Sequence, residues 1–311
     1  MLVSVAIPAY NGADYLREAI ESVLVQTYKP IEIIVVDDGS TDHTKQVCES
    51  FGSKVRYIYQ ENDGTKGAGA RERAMQEAKG EWLALLDQDD RWMPTKIEKQ
   101  LQSLLAHPPA AIAFTGFRQI DAQGCIIRSL PVGPSGEIFH TLLRGNPYCT
   151  SSGMFRRDIL THSGFPDIDV TAADYDLWLR ITRNYSVVVV DECLTEYRIY
   201  EGNYSSDRRR LTLAVRQVLE KYRYRLHREC PECQRSFRDG WAAISKTAAH
   251  ACLDQFHSTA RAGNLYAALP FLSEAIKMFP QQALRPRQAA AVFKSIALAS
   301  TFGLGRTRVL S

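Results

Sequence analysis

No stretch of the 311-residue chain approaches 18 consecutive apolar residues, so a membrane-spanning helix is not expected. The opening MLVSVAIPAYNG has no basic n-region and reads as a strand rather than a signal peptide. Cysteine is scarce: the seven, Cys48, Cys125, Cys149, Cys193, Cys230, Cys233 and Cys252, are odd in number and unpatterned. That argues against a disulfide framework and for reduced thiols in the cytoplasm. Cys230 and Cys233, with His227 nearby, form half a zinc site. No second pair follows at finger-like spacing, although His250, Cys252 and His257 lie downstream. The remaining cysteines read as small core residues. Two phosphate-binding signatures are missing as well. There is no Walker loop and no G-x-G-x-x-G after the first strand; GTKGAG opens the third helix instead. No nucleic-acid readout module is visible, so nucleic acid is not an expected partner.

What is present is a globular composition, 45% apolar and 23% charged. The net charge of +3 hides an asymmetry. The first 206 residues carry 20 basic and 28 acidic side chains, and the remaining 105 carry 18 and 7. Two regions with different partners are expected, residues 1–206 and 207–311.

The first region alternates strand and helix patterns. LVSVAIP, IEIIVVDDGS, KVRYIYQ and EWLALL read as buried strands. Between the first two, Leu16, Ala19, Ile20, Val23, Leu24 and Thr27 keep the i, i+3, i+4, i+7 rhythm of a helix. STDHTKQVCESF reads as a helix capped by Ser40 or Thr41, and GARERAMQEAKG as one ended by Gly80. Such alternation implies an α/β fold with right-handed crossovers, a mostly parallel sheet and helices on both faces. Over residues 109–198 the pattern is mixed. AAIAFTGFRQI, SSGMFRR, SVVVVD and LTEYRIY read as short strands and DYDLWLRITRNY as a helix. Trp178 lies on that helix's apolar side and reads as core rather than as a platform for a sugar. Beyond Asp207 only helices are expected, the last two forming a hairpin about Gly263.

Ligands of such sheets bind beyond the carboxyl ends of the strands. There the second strand delivers Asp37 and Asp38, and the fourth delivers Asp87, Asp89 and Asp90. Each group alone reads as turn chemistry. Brought to one edge, crowded carboxylates require a cation. Hard oxygen ligands suit Mg2+ or Mn2+, with a diphosphate completing the shell. These residues point to a nucleotide-diphosphate site.

The blocks SVAIPAYNGADYLREAIESVLVQTYKPIEIIVVDDGSTDHT, GEWLALLDQDDRWMP and ADYDLWLR, spanning residues 3–200 in order, resemble the family 2 glycosyltransferases, inverting enzymes of the GT-A fold. The resemblance implies that Pro8, Ala9 and Tyr10 line the base pocket, that Asp38 accepts a hydrogen bond from base or ribose, and that Lys66 approaches the nucleotide. It makes Asp87 and Asp89 the D-x-D pair, with Asp89 the direct metal ligand and Asp87 also reaching the ribose. Asp174 matches the general base. A UDP-sugar is the first expectation for the donor, and a carbohydrate or lipid-linked hydroxyl for the acceptor, in surface polysaccharide or glycolipid assembly.

Three positions depart from the family pattern. Ala173 stands where Glu is usual before the base, Tyr200 where the Y-R-x-H histidine is, and Glu72 where A-R-N has Asn. A non-catalytic nucleotide-sugar-binding protein is therefore the alternative. A sugar-1-phosphate nucleotidyltransferase would need a Gly-rich N-terminal loop that is not found. The basic, amphipathic stretches DRRRLTLAVRQVLEKYRYRLHRE and RPRQAAAVFKSIALASTFGLGRTRVL suggest peripheral contact with an anionic inner membrane surface.

Overall fold

The computed structural model describes residues 1–62, 64–65, 67–166, 172–203, 206–223, 226, 230–279, 290–292 and 294–295. The chain forms two compact units, Met1–Ser206 and Asp207–Ser311.

The first unit opens with β1 (Val3–Ala9), α1 (Ala13–Leu24), β2 (Ile31–Asp38), α2 (Thr44–Glu49), β3 (Arg56–Gln60), α3 (Ala68–Gln76) and β4 (Trp82–Leu85). It continues with β5 (Arg91–Trp92), α4 (Lys96–Ala106), β6 (Ala110–Ile120), β7 (Ile126–Ser129), α5 (Phe139–Arg144) and β8 (Met154–Arg156). The short α6 (Leu160–Ser163), then α7 (Ala173–Thr182) and β9 (Ser186–Arg198), complete it. One nine-stranded sheet runs β3-β2-β1-β4-β8-β6-β9-β5, with β7 paired to β6. The four N-terminal strands are parallel. Beyond them β8 is antiparallel to both neighbours, while β6 and β9 run parallel.

Apolar side chains on alternate strand positions explain the layers. Val3, Val5, Ile7, Ile33 and Val35 face a cluster with Leu16, Ala19, Ile20 and Val23 of α1 and Ile97, Leu101 and Leu104 of α4. α3 packs against β1 and β2 through Ala70, Ala74 and Met75, all buried. Each large aliphatic side chain so buried contributes about 1.5–3 kcal/mol. Pro8 fits inside β1 for a geometric reason. The Leu86 amide donates to the Ala6 carbonyl (3.1 Å), so Ala6 and Pro8 turn toward β4. That pairing ends at Ala6 opposite Leu85, and the missing N–H of Pro8 breaks no ladder bond.

Several local expectations change. α2 begins at Thr44, with no side-chain cap, so Ser40 and Thr41 do not cap it. α3 ends at Gln76, not at Gly80. Gly80 instead lets the chain press on β1, where a Cβ would lie 2.7 Å from the Leu2 carbonyl oxygen and the Ser4 nitrogen. SVVVVD and LTEYRIY merge into the single strand β9, whose register against β6 shifts around Gly116. β5, too short for any pattern, pairs Arg91 with Glu196 and Trp92 with Thr195. Trp178 is fully buried, edge-on to Phe114 and Phe155, and belongs to the core.

The second unit holds α8 (Arg208–Arg223), α9 (Pro231–Arg261) and α10 (Leu265–Met278). Gly263, at φ +85°, turns α9 into α10, and the Asn264 side chain caps α10 by accepting from the Ala267 amide. Small residues, Ala249, Cys252, Ala260, Ala268 and Ala275, line the contact with Leu253 and Phe256. Cys230 caps α9, its Sγ accepting from the Cys233 amide. Much of the basic charge of α8 is internally engaged. Arg209 pairs with Glu274 (2.5 Å), Arg210 with Asp207 (3.7 Å) and Arg223 with Glu220 (3.1 Å), while Arg216 lies over Trp241. His227 and most of the segment 285–310 lie outside the described residues.

Candidate active site

The acidic turn 87–90 joins the end of β4 to β5, and buried residues fix its shape. The Asp90 amide donates to the Asp87 carbonyl, closing the turn. Asp90 itself is buried and fully used: Oδ2 accepts from Ser151 Oγ (2.5 Å) and Oδ1 from the Arg198 amide (2.9 Å). Burial, then the charges on Asp89 and Asp87, push its carboxyl well above the ordinary range. Arg198, also buried, donates through Nε to the Asp89 carbonyl (2.8 Å) and through Nη2 to Glu18 (2.7 Å), with Tyr15 packed on its guanidinium. Asp90 and Arg198 are thus the supports, and Asp87 and Asp89 stay partly exposed.

Each of these two acids holds one partner. Asp87 Oδ1 receives Arg71 Nη2 at 2.5 Å. Burial works against the Arg71 charge, but Asp87, Asp174 and Asp89 outweigh it and raise its pKa. The Tyr200 phenol is the neighbour of Asp89 and favours its charged form. Burial, then the Asp87 charge, move the Asp89 carboxyl up to about 6. Burial, then Asp89, push the Tyr200 phenol above its ordinary value, so it stays neutral. Asp174 stands in the first turn of α7, where the helix dipole favours negative charge. Its Oδ2 accepts from Thr150 Oγ1 at 2.7 Å.

The loops after β1, β2 and β4 meet as the topology implies. Gln88 grips the Tyr10 backbone twice: Oε1 accepts from the Tyr10 amide (2.8 Å) and Nε2 donates to its carbonyl (3.1 Å). The Asn11 amide donates to Ser40 Oγ, and Asn11 Oδ1 accepts from the Thr41 amide. Ser40 and Thr41, expected as caps, therefore tie two loops together. Tyr10 is 48% exposed, while Ala9 is buried at the end of β1. Of the two acids on β2, Asp37 is internal, held by Tyr57 and the Ser40 amide. Asp38, also buried, takes Gln60 Nε2 on Oδ1 (2.7 Å) and Asn62 Nδ2 on its carbonyl (3.0 Å). Lys66 lies outside the described residues.

Sequence reasoning missed Arg71, Gln88, Thr150, Ser151 and Arg198. Arg71 and Arg198 occupy the arginine positions of the A-R-N and Y-R-x-H patterns, the only local sign of them.

The model of the family described as Glycosyl transferase family 2 matches residues 4–164. The chain belongs to glycosyl transferase family 2. Among its family relatives, an uncharacterised glycosyltransferase of Rickettsia typhi is 36% identical over 212 residues, covering 65% of each chain. Against some of the first relatives this chain spans only about a third of their length. The UDP-Glc:alpha-D-GlcNAc-diphosphoundecaprenol beta-1,3-glucosyltransferase WfaP of Escherichia coli is 32% identical, over 73% of this chain and 88% of WfaP. Among solved structures, the mannosyltransferase PcManGT of Pyrobaculum calidifontis, in complex with GDP-Man and Mn2+, superposes with a TM-score of 0.60 at 20% identity. It covers 98% of this chain and 88% of that one. The fold of this family 2 member is therefore GT-A, with a helical C-terminal region.

Proposed function

We propose that this family 2 member is an inverting transferase that moves a sugar from a UDP-linked donor to a hydroxyl of a carbohydrate or lipid-linked acceptor. The observation that carries the reading is that adjacent residues hold both acidic groups: Ser151 binds the Asp87 amide and the Asp90 carboxylate after β4, and Thr150 binds the Asp174 carboxylate at the start of α7. That nearness supports a site in which the first acids face the donor and Asp174 the acceptor. The UDP-Glc in the name of WfaP supports the donor, and its diphosphoundecaprenol-linked acceptor supports a lipid-linked one.

In this reading Tyr10 packs on the base, Asp38 accepts from base or ribose, and Pro8 and Ala9 shape the pocket floor. Asp174 takes the proton from the acceptor hydroxyl as that oxygen attacks the anomeric carbon opposite the departing UDP. Asp87 and Asp89 fit Mg2+ or Mn2+: both are hard oxygen donors, two residues apart and partly exposed at the end of β4. The ion would neutralise the charge that the diphosphate gains as leaving group. Tyr200, its phenol kept neutral by burial and by Asp89, stands beside that carboxylate without adding an anionic ligand.

The test is direct. Thermal midpoints are measured with UDP, dTDP and GDP and their sugars, with and without Mn2+. UDP ligands should raise the midpoint by mass action, and more so with Mn2+. Asp174→Asn should abolish UDP-sugar turnover, on the order of 10²-fold or more, while keeping the UDP-induced shift. A variant that still turns over at the wild-type rate rejects Asp174 as base. A variant that binds UDP in a family of inactive chains, wild type included, favours a binding protein. We also propose peripheral contact of the basic second unit with anionic membrane, near such an acceptor. Among the described residues no helix is long and apolar enough to cross a membrane.

A further inference from the structure

We propose that Thr150 is a positioning residue for the base, fixing which oxygen of Asp174 meets the acceptor and referencing that oxygen to the acidic turn. The inference rests on Asp174 being the base.

A carboxylate's last torsion is broad and nearly two-fold, so an aspartate held only by its backbone does not choose which oxygen it presents. Thr150 makes that choice. Its Oγ1 donates to Asp174 Oδ2 at 2.7 Å, and among the described residues no hydrogen bond is made to Oδ1, which is left for the incoming hydroxyl. A β-branched side chain is stiff at χ1, so the donor is itself well aimed. The backbone beneath it has little slack. Residues 150–152 form one 3-10 turn, and Ser151 and Ser152 are fully buried. Ser151 Oγ accepts from the Asp87 amide (3.0 Å) while donating to Asp90. The Ser151 carbonyl accepts from Trp92 Nε1 (2.7 Å), and the Ser152 carbonyl from Gln100 Nε2 (2.9 Å). Two adjacent residues therefore contact the two halves of the site: Ser151 the acidic turn, Thr150 the base. Their spacing is set by one peptide unit rather than by two distant elements.

The plainer role for Thr150 is to satisfy a carboxylate at a helix start, in which case its loss would touch stability and not turnover. The two roles separate in the kinetics of UDP release from UDP-glucose with Mn2+, with water as acceptor. Thr150→Val, of the same shape without the hydroxyl, should lower kcat about ten- to a hundredfold, the worth of a hydrogen bond to a charged group. KM for UDP-glucose and the UDP-induced thermal shift should stay within about twofold, since donor binding is untouched. Thr150→Ser should restore most of the rate. Combining Thr150→Val with Asp174→Asn should cost nothing beyond Asp174→Asn alone, because the hydroxyl acts only through that carboxylate. Thr150→Val at full rate, or Thr150→Ser as slow as Thr150→Val, beside an inactive Asp174→Asn, overturns this inference alone. A wild type without UDP release, or an Asp174→Asn variant at full rate, overturns the base reading beneath it.

Discussion

Asp87 and Asp89 sit two residues apart yet carry different internal partners, a cation on one and a neutral phenol on the other. Arg71 is the cation paired directly with the Asp87 carboxylate, while Arg198 holds the Asp89 carbonyl of the same turn. Removing Arg71 should hurt most when no metal is present. With Arg71 16% and Asp87 26% exposed, solvent screens part of the loss, and about 1–2 kcal/mol is expected. Arg71→Met should therefore lower the thermal midpoint by several degrees in EDTA. Excess Mn2+ with UDP should recover part of that, since it binds only the folded chain. Equal midpoints for the two proteins in EDTA would refute the compensation argument. Gly12 tests the other loop. A Cβ there would lie 2.2 Å from Gln88 Oε1, the atom that accepts from the Tyr10 amide. Gly12→Ala should displace Gln88, free the Tyr10 loop and weaken UDP binding by roughly tenfold, the worth of one or two lost hydrogen bonds. Calorimetric affinity for UDP checks it, and an unchanged affinity would show that the clamp is irrelevant to the pocket. The acids were legible in the sequence because they cluster within a few positions at strand ends. Their partners were not. Arg71 is 16 residues from Asp87, Ser151 is 64, and Arg198 is 109 from Asp89. No local pattern encodes such pairings, and only the topology creates them.

Elements with a full period were equally legible. The apolar rhythm of α1 and the β-branched runs of β1 and β2 each carry enough repeats to define a face. Boundaries and short pieces were not, for physical reasons. β5 spans two residues and exists only because β9 offers an edge. β9 read as two strands because Asp191, Glu192 and Cys193 interrupt the apolar run where its register against β6 shifts. α4 shows a further feature that periodicity hid. Lys96 is fully buried, its Nζ 2.7 Å from Gln100 Oε1 and 4.0 Å from the Trp92 ring centre. Burial pushes its ammonium down to about 7 from an ordinary value of 10.5. Because the folded pKa lies below the unfolded one, the unfolded chain binds more protons between about pH 7 and 10. Lys96 therefore destabilises the fold at and below neutrality, and that penalty fades as pH rises through the window. Measured against Lys96→Met, the wild type should gain on the order of 2 kcal/mol in stability between pH 7 and 9. Denaturant titrations of both proteins at the two pH values check the sign. A constant difference would mean that Gln100 and Trp92 keep the charge fully compensated.

At the scale of the whole molecule, the charge contrast between 1–206 and 207–311 coincides with the division into two compact units. All residues proposed for donor, metal and base lie in the first, which has buried apolar side chains on both faces of its sheet. Residues 1–206 alone should therefore fold and keep the UDP-induced thermal shift. The second unit has a separate core between α9 and α10 and an excess of basic side chains. Three arginines of α8 already pair with acids inside that unit, so the proposed attraction to lipid would come from the summed field of the remainder rather than from α8 alone. Near an anionic surface each uncompensated basic residue contributes about 1 kcal/mol, a sum that salt screens within a Debye length. The full chain should accordingly float with vesicles containing anionic lipid at low salt, release as salt rises, and ignore neutral vesicles. Residues 1–206 should stay at the bottom of the gradient with both. Flotation of the short chain would move the lipid-binding surface to the first unit. Failure of the full chain to float with anionic vesicles would leave the basic excess without a membrane role.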